Sequence, residues 1–408
     1  MYIRRHGEET VRQLAQMFGA VLVTGPRQVG KTTMLQEVTR ETAGYATLDD
    51  PLNLLSAAEQ SGTFLKDNPP PVFIDEVQRA PELFLQIKLL LDRDKKKGQF
   101  YLCGSQQFQM MQRVSESLAG RIGIVNLLGL SLRERFGVEE RRPFLPVEEY
   151  WSRRDGEPVS VPYEQIWEII HRGSMPELCA HPEFQWQMYY GAYVNAYIEK
   201  DVRSLAQVGD EVKFTRFLAV LASRVGQLLN LQSVAGEVGI SQPTAERWLS
   251  ILSASHIVYL LKPYANNLTS RAVKTPKLYF TDTGLACYLT KWNTPEVIRN
   301  GAMAGAFFEN FVVAEVLKSY YNYGILEPPL YFYRDKEKRE IDLLIEENGT
   351  LYPLEIKKHA DPTPSDLAHF VVLDKIAGRK RGTGGVICLY DRLATLRGED
   401  RVIPVGYL

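Results

Sequence analysis

The chain has 408 residues, enough for roughly two to four domains. Hydrophobic residues make up 45% and charged residues 24%, and the formal net charge is −1, so any binding of nucleic acid must come from a local patch. The four cysteines form no CxxC pair, which argues against a disulfide framework or a zinc knuckle, and no apolar run approaches the ~18 residues that cross a bilayer. With a charged N-terminus, MYIRRHGEET, in place of a signal peptide, the expectation is a cytoplasmic protein with no membrane partner.

The first third, residues 1–136, alternates short apolar runs with amphipathic stretches, the pattern of a parallel sheet wrapped by helices. The candidate strands are 20–24 (AVLVT), 45–48 (YATL), 72–74 (VFI), 99–103 (QFYLC) and 122–128 (IGIVNLL). They are continuous apolar runs, as expected of strands covered on both faces. Between the first strand and the helical KTTMLQEVTRE lies Gly25-Pro26-Arg27-Gln28-Val29-Gly30-Lys31-Thr32, followed by Thr33, which fits G-x-x-x-x-G-K-[ST]. Such glycines let successive N–H groups turn toward phosphates, at the positive end of the helix dipole. Lys31 is expected at the β and γ phosphates and Thr32 at magnesium, so the chain binds ATP with Mg2+ and hydrolyses it. The third strand ends in Asp75 and Glu76, the first suited to hold magnesium and the second to polarise the attacking water. The fourth ends in Gly104-Ser105-Gln106, where Ser105 or Gln106 could sense the γ-phosphate or merely form a turn.

Residues 137–205 shift to charge and proline and read as a boundary or helical connector. Within them, the aromatic helical run beginning at Phe184 reads as core packing rather than a cofactor box. Residues 206–290 read as a winged helix-turn-helix: LQSVAGEV (Leu231–Val238), a glycine turn, a helix capped by Ser241, then two β-rich runs joined by a polar wing. The face for DNA would carry Gln242, Thr244, Arg247 and Glu246, and the wing Lys262, Arg271, Lys274 and Lys277, a thin basic set.

Residues 291–408 bring Glu309 on a helix, Asp342 at the end of a strand-and-turn segment, and Glu355 and Lys357 two apart on LYPLEIKK. Residues two apart on a strand share a face, so Glu355 and Lys357 address one site. This order of Glu, Asp and Glu-x-Lys suits a restriction-endonuclease-like site. Asp342 and Glu355 would hold Mg2+, Lys357 would orient the water, and Glu309 would complete the shell. An E-x-K is also frequent on ordinary solvated strands, and Pro353 suggests an edge or an irregular strand start.

GPRQVGKTT, FIDEVQRAPELF, CGSQ with SLAGR, RGSMPE, YIEKDV, PKLYFTDTGL, FFENFVV, REIDLLIE and LEIKK, in that order, span nearly the whole chain. On these motifs the sequence resembles bacterial and archaeal AAA-type ATPases with a C-terminal domain of unknown function. The resemblance implies an α/β multidomain protein: a P-loop ASCE/AAA-type domain, a helical connector, a winged helix and a restriction-endonuclease-like PD-(D/E)xK domain. It also implies an oligomer in which Arg121 is either an arginine finger reaching a neighbouring subunit or a plain surface arginine. Gln106 and Gln107 depart from the usual sensor pattern. The leading expectation is ATP-driven action on DNA with a Mg2+-dependent nuclease-like domain. The alternative is an ATP-dependent switch or regulatory protein whose nuclease-like fold is silent.

Overall fold

The computed structural model of the chain describes residues 2–104, 117–154, 161–197, 211–265 and 275–408. After α1 (Gly7–Met17), strands β1 (Ala20–Thr24), β2 (Gly44–Thr47), β3 (Val72–Asp75), β4 (Phe100–Gly104) and β5 (Ile122–Asn126) alternate with α2 (Lys31–Thr39), α3 (Pro51–Glu59), α4 (Ser61–Asp67) and α5 (Leu83–Arg93). The strands pair in parallel in the order β2-β3-β4-β1-β5. All five expected strands are present, shifted by a residue or two at their ends. Because β4 lies between β1 and β3, the C-terminal ends of these strands bring the P-loop, Asp75 and Cys103 to one edge.

The connector follows as α6 (Leu132–Phe136), α7 (Glu148–Arg154), α8 (Tyr163–Arg172), α9 (Pro176–Ala180) and α10 (Trp186–Tyr197). Then come α11 (Glu211–Ala222), α12 (Leu231–Val238), α13 (Gln242–Ala254) and an antiparallel hairpin of β6 (Val258–Pro263) and β7 (Lys277–Phe280). The turn between α12 and α13 follows its local chemistry: Gly239 ends α12 at φ 78°, and Ser241 accepts from Thr244 N at the start of α13.

The C-terminal part runs α14 (Thr283–Leu289), α15 (Pro295–Asn300), α16 (Ala304–Asn322), β8 (Leu330–Arg334), β9 (Glu340–Glu347), β10 (Thr350–Ile356), β11 (Lys380–Arg381), β12 (Gly385–Cys388), β13 (Ala394–Arg397) and β14 (Asp400–Pro404). The hairpin does not stand apart as a wing. Lys262 and Pro263 of β6 pair in parallel with Tyr331 and Phe332 of β8, so one sheet, β13-β14-β12-β10-β9-β8-β6-β7, crosses the expected boundary at 290. Pro353 also corrects an expectation. Its strand is interior, and the proline sits where the parallel partner of β10 changes from β11 to β12. There its missing N–H interrupts no continuous ladder.

A buried helix ties the halves together. Along α16 apolar residues surround the axis, from Phe307, Phe308 and Phe311 to Val316 and Leu317, the mark of a helix covered on all sides. The largest buried cluster accordingly runs from Val11 and Val125 through Trp167, Phe217 and Phe308 to Leu408. Among the described residues no helix is long and apolar enough to cross a membrane.

Candidate functional site

The P-loop is shaped by backbone that side chains would obstruct. Gly25 has φ 146°, and a Cβ there would lie 2.0 Å from the Leu127 carbonyl oxygen. Gln28 (φ 61°) and Gly30 (φ 85°) are also left-handed, which curls the loop into a concave run of N–H groups. Gly30 precedes α2 without a capping side chain, so the first-turn N–H groups can serve an anion. Lys31 Nζ donates to the Gly25 and Pro26 carbonyls at 3.1 and 2.6 Å, folding its ammonium over the loop.

The two expected magnesium residues meet: Thr32 Oγ1 donates to Asp75 Oδ1 at 3.2 Å. A hydroxyl beside a carboxylate is the oxygen-only donor set that magnesium takes, so the residues fit that ion. Cys103 of β4 donates to the same Asp75 oxygen, and Tyr45 OH donates to Oδ2 at 3.3 Å. Burial first, then the Asp75 charge, pushes the Cys103 thiol well up, so it acts as a neutral donor. Glu76 is left-handed at φ 55°, and its carboxylate accepts from Gln78 Nε2. The other amide atom, Gln78 Oε1, is buried without a partner.

A cavity of about 540 Å³ opens on this edge, with Lys31, Thr32 and Glu76 on one side and Pro176, Glu177 and Tyr189 on the other. The aromatic helix α10 is thus both core and wall: Trp186 and Tyr190 are buried, while Tyr189 lines the cavity and its hydroxyl is buried without a partner. A second cavity of about 300 Å³ shares Gly30 and Pro176 with the first and is closed by Tyr2, Ile3 and His181. Arg5 supports the loop from behind. Its Nη1 donates to the Val29 carbonyl at 2.7 Å, Nη2 to Leu128 O at 2.8 Å and Nε to Glu134 Oε1 at 3.0 Å. Sequence reasoning missed Arg5, Cys103, Gln78 and the α9–α10 wall, since no local pattern marks them.

Arg121 lies at the other end of the sheet from its own P-loop, where its carbonyl accepts from Ala20 N and its guanidinium bonds Asp92 at 2.6 Å. Ser105, Gln106, Gln107, Arg271 and Lys274 lie outside the described residues. Gln242, Glu246 and Arg247 are exposed on α13, and Gln242 donates to Glu246 at 2.9 Å. Thr244 is half-buried and Lys262 exposed.

Lys277 is not a wing residue facing solvent. Its ammonium is buried and reaches Glu309 Oε1 at 2.9 Å, Glu340 Oε1 at 2.6 Å and Asp342 Oδ1 at 3.9 Å. Burial opposes its charge, but Glu309, Asp342 and Glu340 outweigh it and hold the amine protonated. Tyr279, two along β7, donates to the same Glu309 oxygen. Around this ammonium the expected nuclease-like residues do converge. Leu343 pairs with Leu354, so Asp342 and Glu355 face each other across β9 and β10. Lys357 Nζ lies 2.7 Å from Glu355 Oε2 and 3.5 Å from Asp342 Oδ2. Burial, then the Asp342 charge, holds the Glu355 carboxyl above its usual range, and its Oε1 is buried without a partner.

As arranged, this cluster does not fit a metal ion, which corrects the expectation for Asp342 and Glu355. Among the described residues no three His, Cys, Asp or Glu side chains are set to hold one. The positive charge among Glu309, Glu340 and Asp342 is that of Lys277.

Three family models match in sequence: residues 18–136 an AAA domain, residues 163–296 a domain of unknown function (DUF8612), and residues 304–408 another (DUF4143). An uncharacterised protein of Mycobacterium tuberculosis is 28% identical over 374 residues, covering 91% of this chain and 77% of that protein, and one of Mycobacterium bovis matches equally. Among solved structures, a Walker-type ATPase of Pyrococcus abyssi aligns with 71% of this chain and 96% of its own at 14% identity, with a TM-score of 0.44. The RuvB Holliday junction branch migration motor of Thermotoga maritima aligns with 62% of this chain and 85% of its own at 15% identity and a TM-score of 0.29. With the AAA model spanning residues 18–136 and the P-loop, Asp75 and Glu76 gathered at one sheet edge, this part of the chain is an AAA-type P-loop ATPase domain.

Proposed function

We propose that the chain is an ATP-hydrolysing switch that acts on DNA. The observation that carries the reading is the cavity shared between the P-loop and α9–α10, because filling it bears on the connector as well as on the ATPase sheet. Lys31 binds the β and γ phosphates, and Thr32 and Asp75 hold Mg2+, which when bound neutralises charge on the phosphate oxygens. Glu76 orients the attacking water once Gln78 releases it. The base enters the second cavity against Tyr2, Ile3 and His181. Arg121 serves a neighbouring subunit in an oligomer. The α11–α13 helices with the β6–β7 hairpin act as a winged helix, meeting DNA through Gln242, Thr244 and Arg247, with Lys262 on backbone phosphates.

Hydrolysis measured with and without duplex DNA at two salt concentrations tests this. We expect DNA to stimulate hydrolysis, the effect to fade as salt rises, and Glu76→Gln to abolish turnover while nucleotide still binds. Hydrolysis indifferent to DNA, with no salt-sensitive binding, would remove DNA from the reading.

A second reading has its own support: Glu309, Asp342, Glu355 and Lys357 meet in one cluster on adjoining elements, as a restriction-endonuclease-like site requires. In that reading the C-terminal domain cleaves DNA through this cluster. Magnesium-dependent nicking that disappears in Glu355→Ala supports it. No nicking on duplex, fork or junction DNA sinks it and leaves the switch.

A further inference from the structure

The P-loop cavity and the second cavity meet along Gly30, Thr33, Pro176 and Glu177, the four residues that line both. With the triphosphate at Lys31 and Thr32 and the base against Tyr2, Ile3 and His181, the sugar that joins them lies over this shared lining. Of the four residues, only Thr33 and Glu177 carry polar side-chain atoms. Thr33 stands on α2 next to Thr32, on the phosphate side, which leaves Glu177 to face the sugar from the α9–α10 wall.

The backbone of Glu177 is held at that junction from both sides. Pro176 opens α9 with a fixed φ. Before it, Ser174 donates to Asp282 through N at 2.7 Å and Oγ at 2.8 Å, and its carbonyl accepts from Leu130 N at 2.7 Å. After it, Arg172 Nε donates to Leu178 O at 3.1 Å and Nη2 to His181 O at 2.8 Å. The carboxylate, in contrast, is open to a ligand. Its side chain is 58% exposed, and among the described residues no group donates a hydrogen bond to it: His181 Nε2 stands 3.8 Å away, while Nδ1 of the same ring lies 3.0 Å from Glu183 Oε1.

We propose that Glu177 binds the ribose, its two oxygens accepting from the 2′- and 3′-hydroxyls, so that the site takes ribonucleoside triphosphates in preference to deoxyribonucleotides. A carboxylate offers only acceptors, and the sugar hydroxyls are the donors that a nucleotide presents between its base and its phosphates. A deoxy sugar lacks one of these donors and forfeits a hydrogen bond to a charged group, roughly a tenfold loss of affinity. The assignment rests on the reading of the two cavities as phosphate and base sites, and it requires neither DNA nor a neighbouring subunit.

Equilibrium titration of the full chain with ATP, 2′-deoxy-ATP and 3′-deoxy-ATP, each with Mg2+, tests it. Wild type should bind ATP about tenfold more tightly than either deoxy analogue, a comparison that needs no variant to fold. Glu177→Ala should bind all three alike, with ATP losing the most. In steady-state hydrolysis by wild type the sugar should move KM and not kcat, because the contact lies away from the γ-phosphate and is made equally before and in the transition state. Equal affinity for all three in wild type, or a Glu177→Ala chain that weakens ATP and the analogues by the same factor, overturns the assignment. Lys31→Ala separates the two levels. Affinities that are equal in wild type and all lost in Lys31→Ala leave the nucleotide site in place and remove only the ribose contact. Failure of wild type to bind any of the three removes the nucleotide reading and the contact with it.

Discussion

Replacing Arg5 with methionine removes the guanidinium that joins the N-terminal segment, the P-loop and α6, while keeping much of the apolar stem. Glu134 measures what that guanidinium contributes. Burial pushes the Glu134 carboxyl up, yet the Arg5 charge, with His6 and the Ser131 backbone N–H beside it, holds it down at about 2 against an ordinary 4.5. For this fully buried group the difference corresponds to roughly 3 kcal/mol at neutral pH, at the lower end of the ~3–5 kcal/mol lost on breaking a buried pair. A depressed carboxyl contributes stability that is complete above its unfolded value and lost as pH falls through the folded one. The wild-type advantage over Arg5→Met should therefore be about 3 kcal/mol at pH 7 and narrow between pH 4.5 and about 2. Urea titrations across that range measure it. Because Arg5 also holds the Val29 carbonyl at 2.7 Å, a fluorescent ATP analogue should bind the variant more weakly. A pH-independent difference, or unchanged stability together with unchanged affinity, would refute the assignment.

Gly25→Ala places a Cβ 2.0 Å from the Leu127 carbonyl at φ 146°, so the loop must shift. Strain of ~1–3 kcal/mol predicts nucleotide affinity lower by roughly 5- to 150-fold in equilibrium titration. Gln78→Ala frees the Glu76 carboxylate and should raise basal kcat by about tenfold with KM for ATP unchanged, the signature of a group that acts on the chemical step; steady-state kinetics that show a fall in kcat, or only a KM effect, would contradict it. Tyr190→Phe removes a 2.6 Å hydrogen bond to a buried carboxylate and should cost about 1.5–3 kcal/mol in denaturant titration. Lys318→Met leaves the buried Glu315, its partner at 2.7 Å, without a cation, and calorimetry should show a loss of about 3–5 kcal/mol.

What the sequence made legible was local. The five strands of the first sheet are uninterrupted apolar runs, and the P-loop and the Asp75–Glu76 pair are contiguous strings whose spacing states their chemistry. The α12–α13 turn could be read because Gly239 and Ser241 cap their own helices. What stayed hidden joins residues far apart in the chain. Arg5 and Glu134 are separated by 129 positions, and Cys103 meets Asp75 only because β4 pairs beside β3. Lys277 was misplaced because a lysine near a polar stretch reads as a solvent-facing wing. The signal that could have corrected it is the alternation within PKLYF, where Lys277 and Tyr279 share one strand face and must address the same environment.

Two of the motifs behind the family resemblance, RGSMPE and TDTGL, carry no chemistry that their composition reveals. They are the two sides of one contact. Ser174 from the first donates through both its N–H and its hydroxyl to Asp282 from the second. The glycines are dictated by how close the sides come: a Cβ at Gly173 would meet Asp282 Oδ1 at 2.8 Å, and one at Gly284 would meet Tyr190 OH at 2.5 Å. Asp282 also caps α14 by accepting from Leu285 N at 2.7 Å, so the carboxylate fixes the direction in which the chain leaves β7. A joint so tightly packed leaves neither side room to relax. It stands between the cavity lined by Pro176 and Tyr189 and the strand that bears Lys277.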